Sequence, residues 1–155
     1  MRKTEMKTEK FQQLYDILGP YLKDPHVQEM KQYIQHGKVT TYDHCVSVTK
    51  ACYKLNRRFH LGADEKVLLS AALLHDFYLY DWHGRDLSDW THSYKHPMIA
   101  AENAIRYLEI DEQVEHAIRV HMWPFTFWRL PKSREAWILV MADKYCSLKE
   151  TLFQR

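Results

Sequence analysis

Apolar residues recur along this chain at intervals of three and four, the spacing of one face of an α-helix, and no run alternates long enough to suggest a strand. Phe11, Leu14, Tyr15 and Leu18 follow the i, i+3, i+4, i+7 rule and stop at Gly19-Pro20, while Val27, Met30, Tyr33 and Ile34 mark a second short helix. These two are expected to form an N-terminal cover. A third helix opens after Thr40-Thr41 and ends near Leu61-Gly62; Val48, Ala51 and Leu55 fall four, seven and eleven residues beyond His44, which turns His44 inward. Asp64 is a good N-cap for the next helix, whose Val67–Leu74 run is apolar nearly all round, so this helix should be central. His75-Asp76 closes that run.

From Tyr80 to Lys95 the pattern dissolves into Asp, Trp, His, Gly, Arg and Ser, a stretch longer than most compact connections and so a candidate substrate lid. Pro97 suits the first turn of a helix through Leu108. Asp111 caps another that reaches His121-Met122 before Pro124 ends it, and Ser133 caps a last helix through Leu148 that carries Asp143. The fold class read from this pattern is all-α, a compact bundle of about six to seven helices. It is expected to be one domain over residues 1–155, with residues 1–38 covering a core at 40–150.

Composition narrows the function. Hydrophobic residues at 46% and charged residues at 27% suit a soluble globular domain. A net charge of +2, from 22 basic and 20 acidic residues, leaves no surplus for a nucleic-acid backbone. The stretch from Met1 to Lys10 lacks the apolar run of a signal peptide, so no membrane partner and a cytoplasmic location are expected. Cys45, Cys52 and Cys146 are odd in number and lack CxxC spacing, which reads as reduced core thiols. Pairing into a homodimer is left open.

Ten histidines are the departure from an ordinary composition, and imidazole is the commonest nitrogen ligand for metals. An Asp at the end of Ala71–Leu74 would be buried, and a buried carboxylate is costly unless neutralised, paired or metal-bound. No Lys or Arg lies within a helical turn of Asp76; His75 is beside it and His44 comes from the inward face of another helix. Asp143 repeats the puzzle after the apolar stretch from Ala136 to Ala142. Two carboxylates and two histidines directed at one core make a metal-ligand set; the plainer alternative is a buried polar network without metal.

His44, then His75-Asp76 ending an Ala-Ala-Leu-Leu run, then Asp143 in Met-Ala-Asp-Lys, resembles the H…HD…D signature of the HD-domain superfamily over residues 40 to 150. Proteins of that kind are helical bundles that hold a divalent metal between helices, and most hydrolyse phosphate mono- or diesters, often of nucleotides. The resemblance implies the same activity and substrate class here. It also implies a second ion, because His96, in His-Pro, and His121, ending Ala-Ile-Arg-Val-His, stand where larger-site members have further ligands. One ion would take His44, His75, Asp76 and Asp143 and the other His96 and His121, with Asp76 bridging. Imidazole and carboxylate without thiolate suit Fe, Mn, Co, Ni, Zn or Mg, with Fe or Mn favoured over Mg by the number of imidazoles. Asp76 is then the catalytic candidate, orienting the water that attacks phosphorus.

Plainer readings stand beside these. His96 could cap a helix beside Pro97, and His121 could be a helix-end histidine favoured by the dipole. His92 is a weaker ligand candidate and His83 weaker still; His26, His36, His60 and His116 read as surface. Lys54, Arg57 and Arg58 read as a solvated helix end. Lys95 and Lys144 are the candidate phosphate-binding residues, with Arg85 on the expected lid, while Tyr78, Tyr80, Trp82 and Trp90 would stack a base or roof the pocket. A di-iron oxygenase of the same type and a non-catalytic metal- or nucleotide-binding module are the alternatives to hydrolysis.

Overall fold

Asp64 begins the element that organises everything else. Its carboxylate accepts the Val67 amide at 3.1 Å, and every side chain from Val67 to Leu74 is buried. The computed structural model describes residues 2–83 and 89–153. Among these, α1 (Arg2–Leu22), α2 (Pro25–Glu29), a 3-10 turn (Met30–Gln32), β1 (Ile34–His36), β2 (Val39–Thr40), α3 (Thr41–Arg58), α4 (Glu65–Leu74), α5 (Asp89–Tyr107), α6 (Glu112–Val120) and α7 (Arg134–Phe153) follow in chain order. The fold is helical, with α4 enclosed by α1, α3, α6 and α7. No helix among the described residues is long and apolar enough to cross a membrane.

Small residues set how closely the helices approach. Ala71 and Ala72 of α4, Ala100, Ala101 and Ala104 of α5, Ala117 of α6 and Ala136 and Ala142 of α7 are all fully buried. Leu68, Leu69, Leu73 and Leu74 fill the remaining volume, each stabilising the fold by about 1.5–3 kcal/mol. The close approach matters for function, because it brings the C-terminal end of α4 within side-chain reach of α3, α5, α6 and α7.

Several boundaries differ from expectation. Gly19-Pro20 does not stop α1: the Lys23 amide donates to Gly19 O at 3.1 Å, so only the bond Pro20 cannot donate is lost, in the last turn. The face of α1 packed on the core is Leu14, Ile17, Leu18, Tyr21 and Leu22, whereas Phe11 and Tyr15 are exposed. Tyr33 and Ile34 leave the helical path, and β1 pairs antiparallel with β2 through a turn in which Gly37 has φ 57°. Strands of three and two residues are too short for alternation to register in the sequence.

The irregular stretch is shorter than Tyr80 to Lys95. α5 begins at Asp89, and Pro97 lies inside it rather than in its first turn. Residues 89–96 contain no Gly or Pro, and the buried positions there are His92 and His96, one helical turn apart. A helix whose inward face is polar carries no hydrophobic period, which is why its start escapes pattern reading. Arg85 lies outside the described residues. At the other end α7 runs past Leu148 to Phe153 and so takes in Glu150. Cys45, Cys52 and Cys146 are buried and free.

Candidate metal centre

Six elements deliver side chains to one point. His44 lies in the first turn of α3, whose N-cap Thr40 accepts the Asp43 amide at 3.1 Å. His75-Asp76 follows α4, His96 faces inward from α5, His121 follows α6 directly, Asp143 sits midway along α7, and all six side chains are buried. The β-hairpin adds Gln35 and His36 from the side.

Asp76 divides the cluster in two. Its Oδ2 lies 3.2 Å from His75 Nε2 and 3.5 Å from His44 Nε2. Its Oδ1 lies 3.1 Å from His96 Nε2 and 3.4 Å from His121 Nε2. Asp143 Oδ1 joins the first set, 3.1 Å from His44 Nε2 and 3.5 Å from His75 Nε2. The atoms of His44, His75 and Asp76, those of His75, His121 and Asp143, and those of Asp76, His96 and His121 each fall within 4.8 Å of one another.

The far side of each imidazole is anchored. Nδ1 of His75 donates to Ala72 O at 2.7 Å, Nδ1 of His121 to Ile118 O at 2.7 Å, and Nδ1 of His96 to His92 O at 3.0 Å. Nδ1 of His44 donates to Glu150 Oε2 at 2.7 Å. With the anchoring proton on Nδ1, Nε2 is the nitrogen that faces the centre, and in the neutral imidazole it carries the lone pair a metal requires. Nε2 of His96 and Nε2 of His121 stand 3.0 Å apart, and two lone pairs at that distance repel unless a cation lies between them. Nε2 of His75 and Oδ1 of Asp76 are buried and make no hydrogen bond. Nitrogen and oxygen ligand atoms that converge in this way fit a divalent ion.

The charges agree. Asp76, Asp143 and Glu150 are buried, and among the described residues the one ion pair any of them makes with a Lys or Arg is that of Asp143 Oδ2 with Lys144 Nζ at 3.4 Å. Burial opposes charge on Asp76, yet the charge of His75 and the other imidazoles around it hold it well below the usual carboxylate range. Burial likewise works against Asp143, which His44 and His75 hold well below that range. Burial disfavours the His44 imidazolium, but hydrogen bonds to Asp143 and Glu150 raise it to about 10. His121, buried beside His75 and His96, is instead lowered to about 4. Without an ion, protons on His44 and His75 supply the compensating charge. Uptake of a divalent ion at neutral pH is therefore expected to release protons, and affinity to weaken as pH falls. Calorimetry in buffers of different ionisation enthalpy checks this; uptake without proton release would contradict it.

Sequence reasoning missed three members of the neighbourhood. Glu150 lies seven residues after Asp143, two turns along the same face, which is the signal that could have found it. Gln35 sits on a strand too short to recognise. His36, read as surface, is half-buried with Nε2 enclosed and unpartnered, its ring 5.5 Å from that of His44, because the hairpin folds back against α3. His92 is buried in a stack with Trp82 at 4.6 Å and His96 at 4.6 Å, and shares a hydrogen bond of 2.9 Å with the Tyr80 hydroxyl. Burial and His96 lower it to about 3, so it is neutral.

A cleft of about 240 Å³ opens onto Asp76, His96, His121 and Asp143, walled by Trp82, His92, Ser93, Met122, Lys144 and Ser147. Lys144 lines it and donates to His121 O at 3.2 Å. Lys95 is exposed and does not line it, since on a helix the neighbour of an inward His96 points away. Tyr78 is buried behind the centre, and Trp90 is exposed against Phe125. Arg57 holds Glu65 at 2.8 Å, tying α3 to α4 away from the cleft. A larger cavity of about 600 Å³ between α3 and α7 reaches Glu150 but touches none of the six. The model of the family described as HD domain matches residues 41–148. No curated protein and no solved structure matches the chain.

Proposed function

The chain belongs to the HD-domain family, and from that premise we propose that it is a metal-dependent phosphohydrolase acting on small phosphate mono- or diesters, nucleotides among them. The observation that carries the reading is the division of Asp76, with one oxygen in each of two histidine sets. In this reading His44, His75, Asp76 and Asp143 would hold one ion, and His96 and His121, with Asp76, would hold a second. A divalent ion in such a place supplies Lewis acidity, making water nucleophilic near neutral pH and withdrawing charge from phosphoryl oxygens.

The chain's own groups do the rest. Asp76 orients the attacking water toward phosphorus. Lys144, its side chain 41% exposed at the cleft edge, reaches a phosphoryl oxygen and adds the positive charge that selects an anionic substrate. Trp82 stacked on neutral His92 gives the organic part of the ester a flat, uncharged wall. The enclosing aromatic rings and Met122 limit water around the reacting group.

The test is an assay of the Fe- and Mn-loaded protein on p-nitrophenyl phosphate, bis-p-nitrophenyl phosphate and a set of nucleoside phosphates. Turnover of at least one is expected, and Lys144→Ala should raise KM about tenfold, equivalent to ~1.4 kcal/mol, with a smaller change in kcat. A metal-loaded protein that cleaves none of them would overturn hydrolysis. Oxygen consumption in that protein would then mark the oxygenase, and inertness to both a binding module.

A further inference from the structure

Gln35 is the buried residue of β1, and it is polar. Burying an amide is unfavourable unless each of its atoms finds a partner. Here the partners form one chain of contacts. Nε2 of Gln35 donates to Asp76 Oδ2 at 2.7 Å. Its Oε1 accepts from the Thr41 hydroxyl at 3.3 Å and from the Tyr78 hydroxyl. The reverse orientation of the amide would set Oε1 against Asp76 Oδ2, two acceptors at bonding distance, so the network assigns nitrogen to the carboxylate.

A carboxylate serving two histidine sets works only while its plane is fixed, because rotation about the Cβ–Cγ bond moves both oxygens at once. In the neutral, Nδ1-protonated form that a metal requires, the imidazoles turn lone pairs and not donors toward Asp76, whereas the Gln35 amide still donates to it. We propose that Gln35 is a positioning residue: its locked amide fixes the plane of Asp76 so that Oδ2 stays with His44 and His75 while Oδ1 stays with His96 and His121. This rests on the metal-centre reading above. A neutral donor suits the task, since it orients the carboxylate without cancelling the charge a cation needs, as Lys or Arg would. Tyr78, a candidate for substrate contact in the sequence, here acts on the centre through Gln35.

The test uses cobalt(II) as the probe, read by affinity and by its visible absorption bands, in the full chain and in three variants. Gln35→Leu is expected to bind cobalt about 10–100-fold more weakly, with shifted bands. Tyr78→Phe, which leaves Thr41 in place, should move both in the same direction by less. Asn56→Ala is the structural control: Asn56 is buried on α3 and bonds the Ala63 amide at 3.0 Å, away from the centre. It should lower Tm and leave affinity and bands as in the wild type. A folded Gln35→Leu protein with wild-type affinity and bands overturns the proposal. If Gln35→Leu does not fold, Tyr78→Phe decides, and unchanged affinity and bands in that variant overturn it equally. Wild-type protein that takes up no cobalt overturns the metal-centre reading, and this proposal with it.

Discussion

Asp76→Ala is expected to empty the centre of metal and to abolish turnover. One Asp76 oxygen lies within 3.5 Å of His44 and His75 and the other within 3.4 Å of His96 and His121, so its loss would remove one anionic ligand atom from each set. Mass action sets the cost to stability: an ion present at a hundred times its dissociation constant stabilises the folded state by about 2.7 kcal/mol. For a chain of this size that corresponds to a Tm rise of roughly 5–10 °C. Wild type should show this rise on adding metal, and Asp76→Ala should show none. Elemental analysis beside paired thermal melts makes the comparison. Wild-type metal content in the variant would sink the assignment of Asp76.

His121→Ala is expected to halve the metal content, from about two ions per chain to one. The second set has only His96, His121 and a single Asp76 oxygen, and removing one imidazole leaves two ligand atoms, too few to retain an ion against water. The first set keeps His44, His75, Asp143 and the other Asp76 oxygen, so its ion should persist. One ion in both proteins would make His121 structural and leave a single-ion centre. Turnover that survived the loss of one ion would place hydrolysis on the first set alone.

Both expectations start from residues that stand out in the amino-acid sequence. The run from Val67 to Leu74 announces a buried helix, and a carboxylate at its end with no basic residue nearby poses a question that only a cation or protons can answer. The capping residues Thr40, Asp64 and Ser133 are legible for a related reason, since caps act within a few residues of themselves. The beginning of α5 is not, because its inward residues are His92 and His96. The partners of that polar face, Tyr80, Asp76 and His121, come from other parts of the chain.

The helical fold class, the central helix and the inward direction of His44, His75, Asp76 and Asp143 follow from the order of residues, because hydrophobic period and the burial of charge are local properties of the chain, whereas His96 and His121 stand out only through the family resemblance. Three features needed the assembled helices: how those side chains share Asp76, the anchoring of His44 by Glu150 from 106 residues away, and the bond from Gln35 to Asp76 across 41. Which oxygen faces which imidazole depends on how six elements cross, and their crossing follows from the packing of small buried residues over the whole core.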